Sequence, residues 1–78
     1  MRAVMYLKRS AARAAAEREA AGGLSVRPGA VESGMRYLEE DPAFSEAVGC
    51  WGGECPAYVV EDVRGQVVAR FGWWEDDE

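Results

Sequence analysis

Two runs rich in β-branched and aromatic residues near the carboxyl end constrain the fold of this chain most tightly. Residues 57–62 and 66–71 alternate in side-chain character, and Gly65 lies between them. This pattern predicts a β-hairpin, because glycine readily takes the left-handed conformation that a short reversal needs. A hairpin alone is marginally stable in water, so other segments must pack against it.

The amino-terminal third supplies a strong helix signal. Residues 11–21 contain only alanine, arginine and glutamate, Ser10 is an acceptable N-cap, and Gly22-Gly23 ends the run. Residues 2–8 have an apolar centre bounded by charges. They fit a short buried strand or the first turns of a helix, and periodicity does not decide between the two.

The middle of the chain predicts an extended piece and a broken helix. The sequence predicts an extended conformation for residues 24–26 and a turn at Arg27-Pro28-Gly29. Val31, Met35 and Leu38 have helical spacing. Asp41-Pro42 interrupts that helix and caps a new short one, whose buried pair would be Phe44 and Val48. Residues 50–56 read as a loop.

These elements predict a small α+β domain. An Ala-rich amino-terminal helix and a second, broken helix would pack on a short antiparallel sheet that contains the carboxy-terminal hairpin. We expect residues 1–74 to form one domain and residues 75–78 to be an acidic tail.

The absence of histidine narrows the chemistry that this chain can perform. The sequence of 78 residues has no His, Asn, Thr or Ile. It therefore lacks the commonest general base and metal ligand, and Ser–His or Cys–His dyads cannot form within one chain. No glycine-rich nucleotide-binding motif is present. We predict a non-enzymatic protein with no cofactor and no metal.

Cys50 and Cys55 are the two cysteines, and they have C-x4-C spacing. The pair would form a redox-sensitive disulfide, or two partly buried thiols beside Trp51. The amino end lacks the apolar core of an export signal, and no apolar run approaches the about 18 residues that span a bilayer. We therefore expect a cytoplasmic protein without membrane contact, and a cytoplasmic location favours the thiols.

Charge is divided unevenly along the chain. The net charge is −5, with +4 on residues 1–27 and −9 on residues 28–78. Arg9 and Arg13 lie one helical turn apart, so a small dimeric DNA-binding regulator that uses this helix is an alternative function. Glu17 would offset Arg13, and the acidic chain as a whole disfavours direct nucleic-acid binding. The sequence leaves the oligomeric state open and allows a homodimer.

A tryptophan pair beside acidic residues is the strongest candidate for a partner-binding site. Successive strand residues face opposite ways, so one ring of Trp73-Trp74 would pack on the core and the other would meet solvent or a partner. The site that we predict consists of Trp73, Trp74, Glu75, Asp76, Asp77, Glu78, Glu61 and Asp62.

The size, acidity and amino-acid composition of the chain resemble those of a broad class of small proteins. Its eight arginines, single lysine and abundant alanine and glycine indicate GC-rich coding, typical of bacteria and their mobile elements. In size, acidity and this GC-rich character it resembles the small inhibitors that phages and plasmids encode, including anti-CRISPR proteins. The resemblance transfers no residue roles. It implies a protein-binding inhibitor whose acids steer it toward a host nucleic-acid-handling complex.

Overall fold

A computed structural model describes residues 2–32, 34–48 and 53–76 as one α+β unit, as the sequence predicts. None of the helices in these ranges is long and apolar enough to cross a bilayer. The elements in chain order are β1 (Arg2–Lys8), α1 (Arg9–Ala20), β2 (Ser25–Glu32), α2 (Pro42–Val48), β3 (Glu54–Glu61) and β4 (Val67–Glu75).

The four strands form one mixed sheet in the order β1-β4-β3-β2. Strands β2, β3 and β4 pair antiparallel, whereas β1 lies parallel to β4 with Val4 opposite Phe71. The sheet is therefore only partly the antiparallel one that the sequence predicts. The ambiguous residues 2–8 are a strand, and a parallel partner of this kind cannot be assigned from a short apolar run.

The carboxy-terminal hairpin is confirmed and is longer than predicted. Gly65 has φ +79° at the reversal. A register shift between Val60 and Glu61 marks a bulge near the turn. Residues 54–56, which the sequence places in a loop, begin β3. Pro56 is accommodated opposite Ala30, whose carbonyl accepts a hydrogen bond from the Arg70 guanidinium at 3.0 Å.

Helix α1 packs its alanines on the sheet. It begins at Arg9 directly after β1, with Lys8 at the N-cap and no side-chain cap, so the prediction of Ser10 as the cap is wrong. Beyond its carboxyl end Gly23 takes φ +109°, as the glycine pair predicts. Ala12 and Ala16 are fully buried, and their small side chains let the helix lie close to β3 and β4.

The middle segment differs most from expectation. Residues 25–32 are an edge strand that passes through Pro28 and Gly29, so the predicted turn is wrong. Proline is tolerated at a sheet edge, where its missing N–H breaks no inner ladder. The predicted helix over residues 31–38 is also wrong: Val31 belongs to β2, and Leu38 forms a parallel bridge with Val4.

Helix α2 is confirmed, together with the aspartate that caps it. Asp41 accepts a hydrogen bond from the Ala43 backbone N–H at 3.0 Å, and Phe44 is fully buried. The opposite oxygen of Asp41 accepts from the Leu7 N–H of β1 at 2.9 Å. One carboxylate therefore starts the helix and ties it to the sheet.

The sheet separates two apolar clusters. On one face, α1 covers a cluster that includes Val4, Val60, Phe71 and Trp73. On the other face, α2 and the segment before it cover a cluster that includes Met5, Val31, Phe44 and Cys55. Gly72 lets Met5 pack closely on this second face, because a Cβ there would lie 2.7 Å from the Met5 sulfur and the methionine side chain would have to shift.

Candidate protein-binding site

The two adjacent tryptophans have opposite environments, as strand alternation predicts. Trp73 lies in the cluster beneath α1 and is 9% exposed, whereas Trp74 is 48% exposed. Trp74 therefore points to the sheet face that carries α2. The β1–β4 register places it beside Leu7, since Tyr6 pairs with Trp73 and Lys8 with Glu75. Trp74 is the member of the pair that a partner can reach.

Trp73 is held by an aromatic and cationic stack. Its ring lies 4.7 Å from the Tyr58 ring, and the Arg9 guanidinium lies 5.7 Å from the Trp73 centroid. The Nε of Arg9 donates to the Tyr58 hydroxyl at 2.8 Å. Tyr58 and then Asp76 raise the pKa of the Arg9 guanidinium by accepting its hydrogen bonds. This stack makes Trp73 part of the fold.

The first acids after the tryptophans pair with bases of the same chain. Glu75 lies 2.7 Å from the Lys8 ammonium, and Asp76 lies 3.2 Å from Arg9. All four side chains are partly exposed, so solvent screening leaves each pair a small contribution to stability. These contacts fix the end of β4 over the junction of β1 and α1, and they partly neutralise two of the acids expected to steer a partner.

Glu61 and Asp62 lie at the opposite end of the sheet. Glu61 pairs with Arg27 at 3.0 Å, and Asp62 accepts hydrogen bonds from the Arg64 and Gln66 backbone N–H groups in the hairpin turn. The eight steps of β4 separate this turn from Glu75 by about 26 Å. The structure therefore does not bring these two acids together with the tryptophans.

Two acids outside the predicted site do join its tryptophan end. Glu32 and Glu54 lie directly opposite each other in the β2–β3 register. Because β3 and β4 are antiparallel, Glu54 at the start of β3 and Glu75 at the end of β4 share one end of the sheet. The sequence offered no signal for this, since it placed Glu32 in a helix and Glu54 in a loop.

The arginines proposed for DNA binding are not equivalent. Arg9 is engaged by Tyr58, Trp73 and Asp76, whereas Arg13 is exposed and has no ion pair within the described ranges. The pairing of Arg13 with Glu17 that the sequence predicts is absent there. A phosphate approaching this face would meet Arg13 readily but would have to displace Asp76 from Arg9.

Cys55 is buried in the cluster beneath α2. Cys50, Asp77 and Glu78 lie outside the described residues, so the disulfide and the last two acids of the predicted site stay predictions. Among the residues that the structure describes, no group of three or more Cys, Asp or Glu side chains could hold a metal ion.

Comparisons with protein-family models, with curated proteins and with solved structures found no match to this chain.

Proposed function

We propose that this chain is a non-enzymatic protein that binds a larger protein through the end of the sheet that carries Trp74. The 48% exposure of Trp74 carries the proposal. A large aromatic ring fixed on a strand offers extensive contact area and loses little side-chain entropy on binding. Its neighbour Trp73 already anchors the strand, so the exposed ring is presented on a rigid support.

The charges at this end favour a basic partner surface. Glu32 and Glu54 face each other across two strands, and like charges directly opposite are destabilising. Arginines or lysines of a partner would relieve that repulsion. Glu75 and Asp76 lie at the same end of the sheet. They already form ion pairs with Lys8 and Arg9, so their charge is only partly available to a partner.

Such a basic surface is typical of proteins that handle nucleic acids. We therefore propose an inhibitor of the phage- or plasmid-encoded kind, which covers such a surface on a host complex, as some of these small inhibitors do. The carboxylates would raise the association rate, and Trp74 would slow dissociation.

The test compares Trp74→Ala with a matched truncation at the far end of the sheet. Val63 is 92% exposed in the hairpin turn, so Val63→Ala removes an exposed apolar side chain elsewhere. Each immobilised protein is incubated with lysate from a GC-rich bacterium, and captured proteins are quantified by mass spectrometry. We expect one stoichiometric partner that binds wild type and Val63→Ala and is lost with Trp74→Ala.

Charge reversal tests the acidic half of the proposal. Glu54→Lys and Glu17→Lys change the net charge equally, but Glu17 lies on the exposed face of α1, away from this end of the sheet. Glu54→Lys should slow association and flatten its dependence on salt, whereas Glu17→Lys should leave both near wild type. Capture that is insensitive to Trp74→Ala would overturn the proposal. Salt-dependent DNA binding that Arg13→Glu removes would favour the DNA-binding regulator instead.

A further inference from the structure

A groove lies along the outer edge of β1, at the end of the sheet opposite Trp74. It has a volume of about 390 Å³ and is lined by Arg2, Ala3, Met35, Arg36, Tyr37 and Leu38. That volume falls in the range of small-molecule and peptide-side-chain pockets. Arg2 pairs with Ala69, five residues before Trp74 on β4, so about 16 Å separate the two sites.

The apolar part of the groove includes a half-exposed leucine held by backbone hydrogen bonds. Leu38 is 50% exposed. Its N–H donates to the Ala3 carbonyl at 2.8 Å, and its carbonyl accepts from the Met5 N–H at 3.3 Å. Leu38 is thus fixed in an extended conformation beside β1, and its side chain offers a preformed contact for an aliphatic group.

Two guanidinium groups give the groove its charge. Arg36 is exposed and makes no ion pair with any residue of the described ranges. Arg2 pairs with Glu19 at 3.0 Å, and both side chains are partly exposed. A surface pair of this kind contributes little, so a competing carboxylate can replace it. The Arg2 guanidinium also lies 5.5 Å from the Phe71 ring centroid, which restricts its position.

We propose that this groove binds a short acidic peptide segment, with an aliphatic side chain against Leu38 and a carboxylate on Arg36. The planar guanidinium donates two parallel hydrogen bonds to a carboxylate, which fixes the peptide's direction. A short segment fits better than a nucleic acid, because the chain carries −5 overall and would repel an extended polyanion.

The inference is independent of the proposed function, since it involves other residues and a partner of opposite charge. A peptide acetyl-Glu-Leu-Glu-amide, titrated into isotope-labelled protein and followed by backbone amide NMR shifts, provides the test. The uncharged acetyl-Gln-Leu-Gln-amide is the matched control. We expect saturable shifts at residues 2–3 and 35–38 with the acidic peptide and at most weak shifts with the control.

Variants assign the contacts. Arg36→Gln should weaken binding at least about tenfold, the loss expected for a charged hydrogen-bond pair. Leu38→Ser should also weaken binding while keeping the backbone hydrogen bonds. Arg13→Gln removes an exposed arginine from α1 and should bind like wild type.

Three outcomes would overturn the proposal. One is the absence of saturable shifts in the groove, and another is equal affinity in Arg36→Gln and wild type. The third is that a hexathymidylate oligonucleotide produces the same shifts at lower concentration than the acidic peptide, which would assign the groove to nucleic acid. None of these outcomes bears on capture through Trp74.

Discussion

The sheet has two edge strands, β1 and β2, and they differ in whether another segment of the chain covers their backbone groups. Along β1, Leu38 and Asp41 bind the outward groups of Ala3, Met5 and Leu7. Strand β2 has no comparable cover within the described ranges, where the Glu32 carbonyl at its carboxyl end accepts a hydrogen bond from the Met35 N–H at 3.0 Å. The strand carries Pro28, which has no N–H to offer.

The difference shows two ways in which this chain can prevent its sheet edges from pairing with another chain. An unpaired edge is a template for pairing with another chain, and proteins blunt it by covering it or by placing proline and charge on it. The segment that covers β1, residues 35–41, also forms a wall of the arginine-lined groove. We call it the covering segment. Within the part of the chain that the structure describes, β2 is left as an exposed strand that is protected by its own sequence.

Removing the Asp41 carboxylate should have the largest effect on this contrast. Asp41→Ala deletes the cap of α2 and the acceptor for the Leu7 N–H, so we expect a loss of about 2–3 kcal/mol in the free energy of unfolding. Urea denaturation measures it. Glu39→Ala removes an exposed acid of the same segment and should cost less than about 0.5 kcal/mol. Equal losses in both variants would refute the role of Asp41.

Adding a methyl group at Gly29 tests whether β2 packs closely against β3. A Cβ at this position would overlap the Val59 Cγ2. Gly29→Ala should therefore cost about 1–2 kcal/mol through overpacking. At Gly22 nothing lies within 4 Å of the corresponding Cβ, so Gly22→Ala is the control. If both changes leave the denaturation midpoint unchanged, β2 does not pack on β3 as the structure shows.

The sequence predicted those elements whose signals are local. The alternation around Gly65 and the alanine run before Gly22-Gly23 each contain their own start and stop, and both elements form. The prediction of a turn at Pro28-Gly29 is wrong because the same dipeptide suits a turn or an edge strand. Whether this segment forms a turn or an edge strand depends on the order of strands in the sheet, which residues far away in the sequence determine. The helical spacing of Val31, Met35 and Leu38 is a coincidence of composition.

The candidate site divides in the same way. Period-two alternation was enough to separate Trp73 from Trp74, because that rule concerns neighbouring residues on one strand. The grouping of acids was not predictable. Glu32 and Glu54 meet through the β2–β3 register, and Glu61 is carried to the other end by the length of β3. Register depends on pairings between segments that are far apart in sequence.

Replacing Pro28 should alter association more than stability. Pro28→Val gives the edge strand β2 a backbone donor that proline lacks, so we expect more self-association than in wild type at high concentration, with less than about 1 kcal/mol change in unfolding free energy. Sedimentation velocity over a wide concentration range measures it. Pro56→Val removes a proline from the inner strand β3 and should sediment like wild type. A Pro28→Val protein that sediments like wild type would show that the charges of β2 protect this edge without the proline.

The smallest effect concerns Tyr6 on the covered strand β1. Burial, and then the nearby Glu40 of the covering segment, raise the pKa of the Tyr6 phenol above its usual 10.0. A raised pKa of an acid means that its contribution to stability is complete below pH 10.0 and is lost as pH rises through the folded-state pKa. Tyr6→Phe should remove that part of the alkaline loss of stability. Glu40→Gln should lower the Tyr6 pKa, measured by NMR titration of its ring signals, while Glu46→Gln on α2 should leave it unchanged. An unchanged Tyr6 pKa in Glu40→Gln would mean that the covering segment does not hold Glu40 beside β1, and the contrast between the two edges would then rest on Leu38 and Asp41 alone.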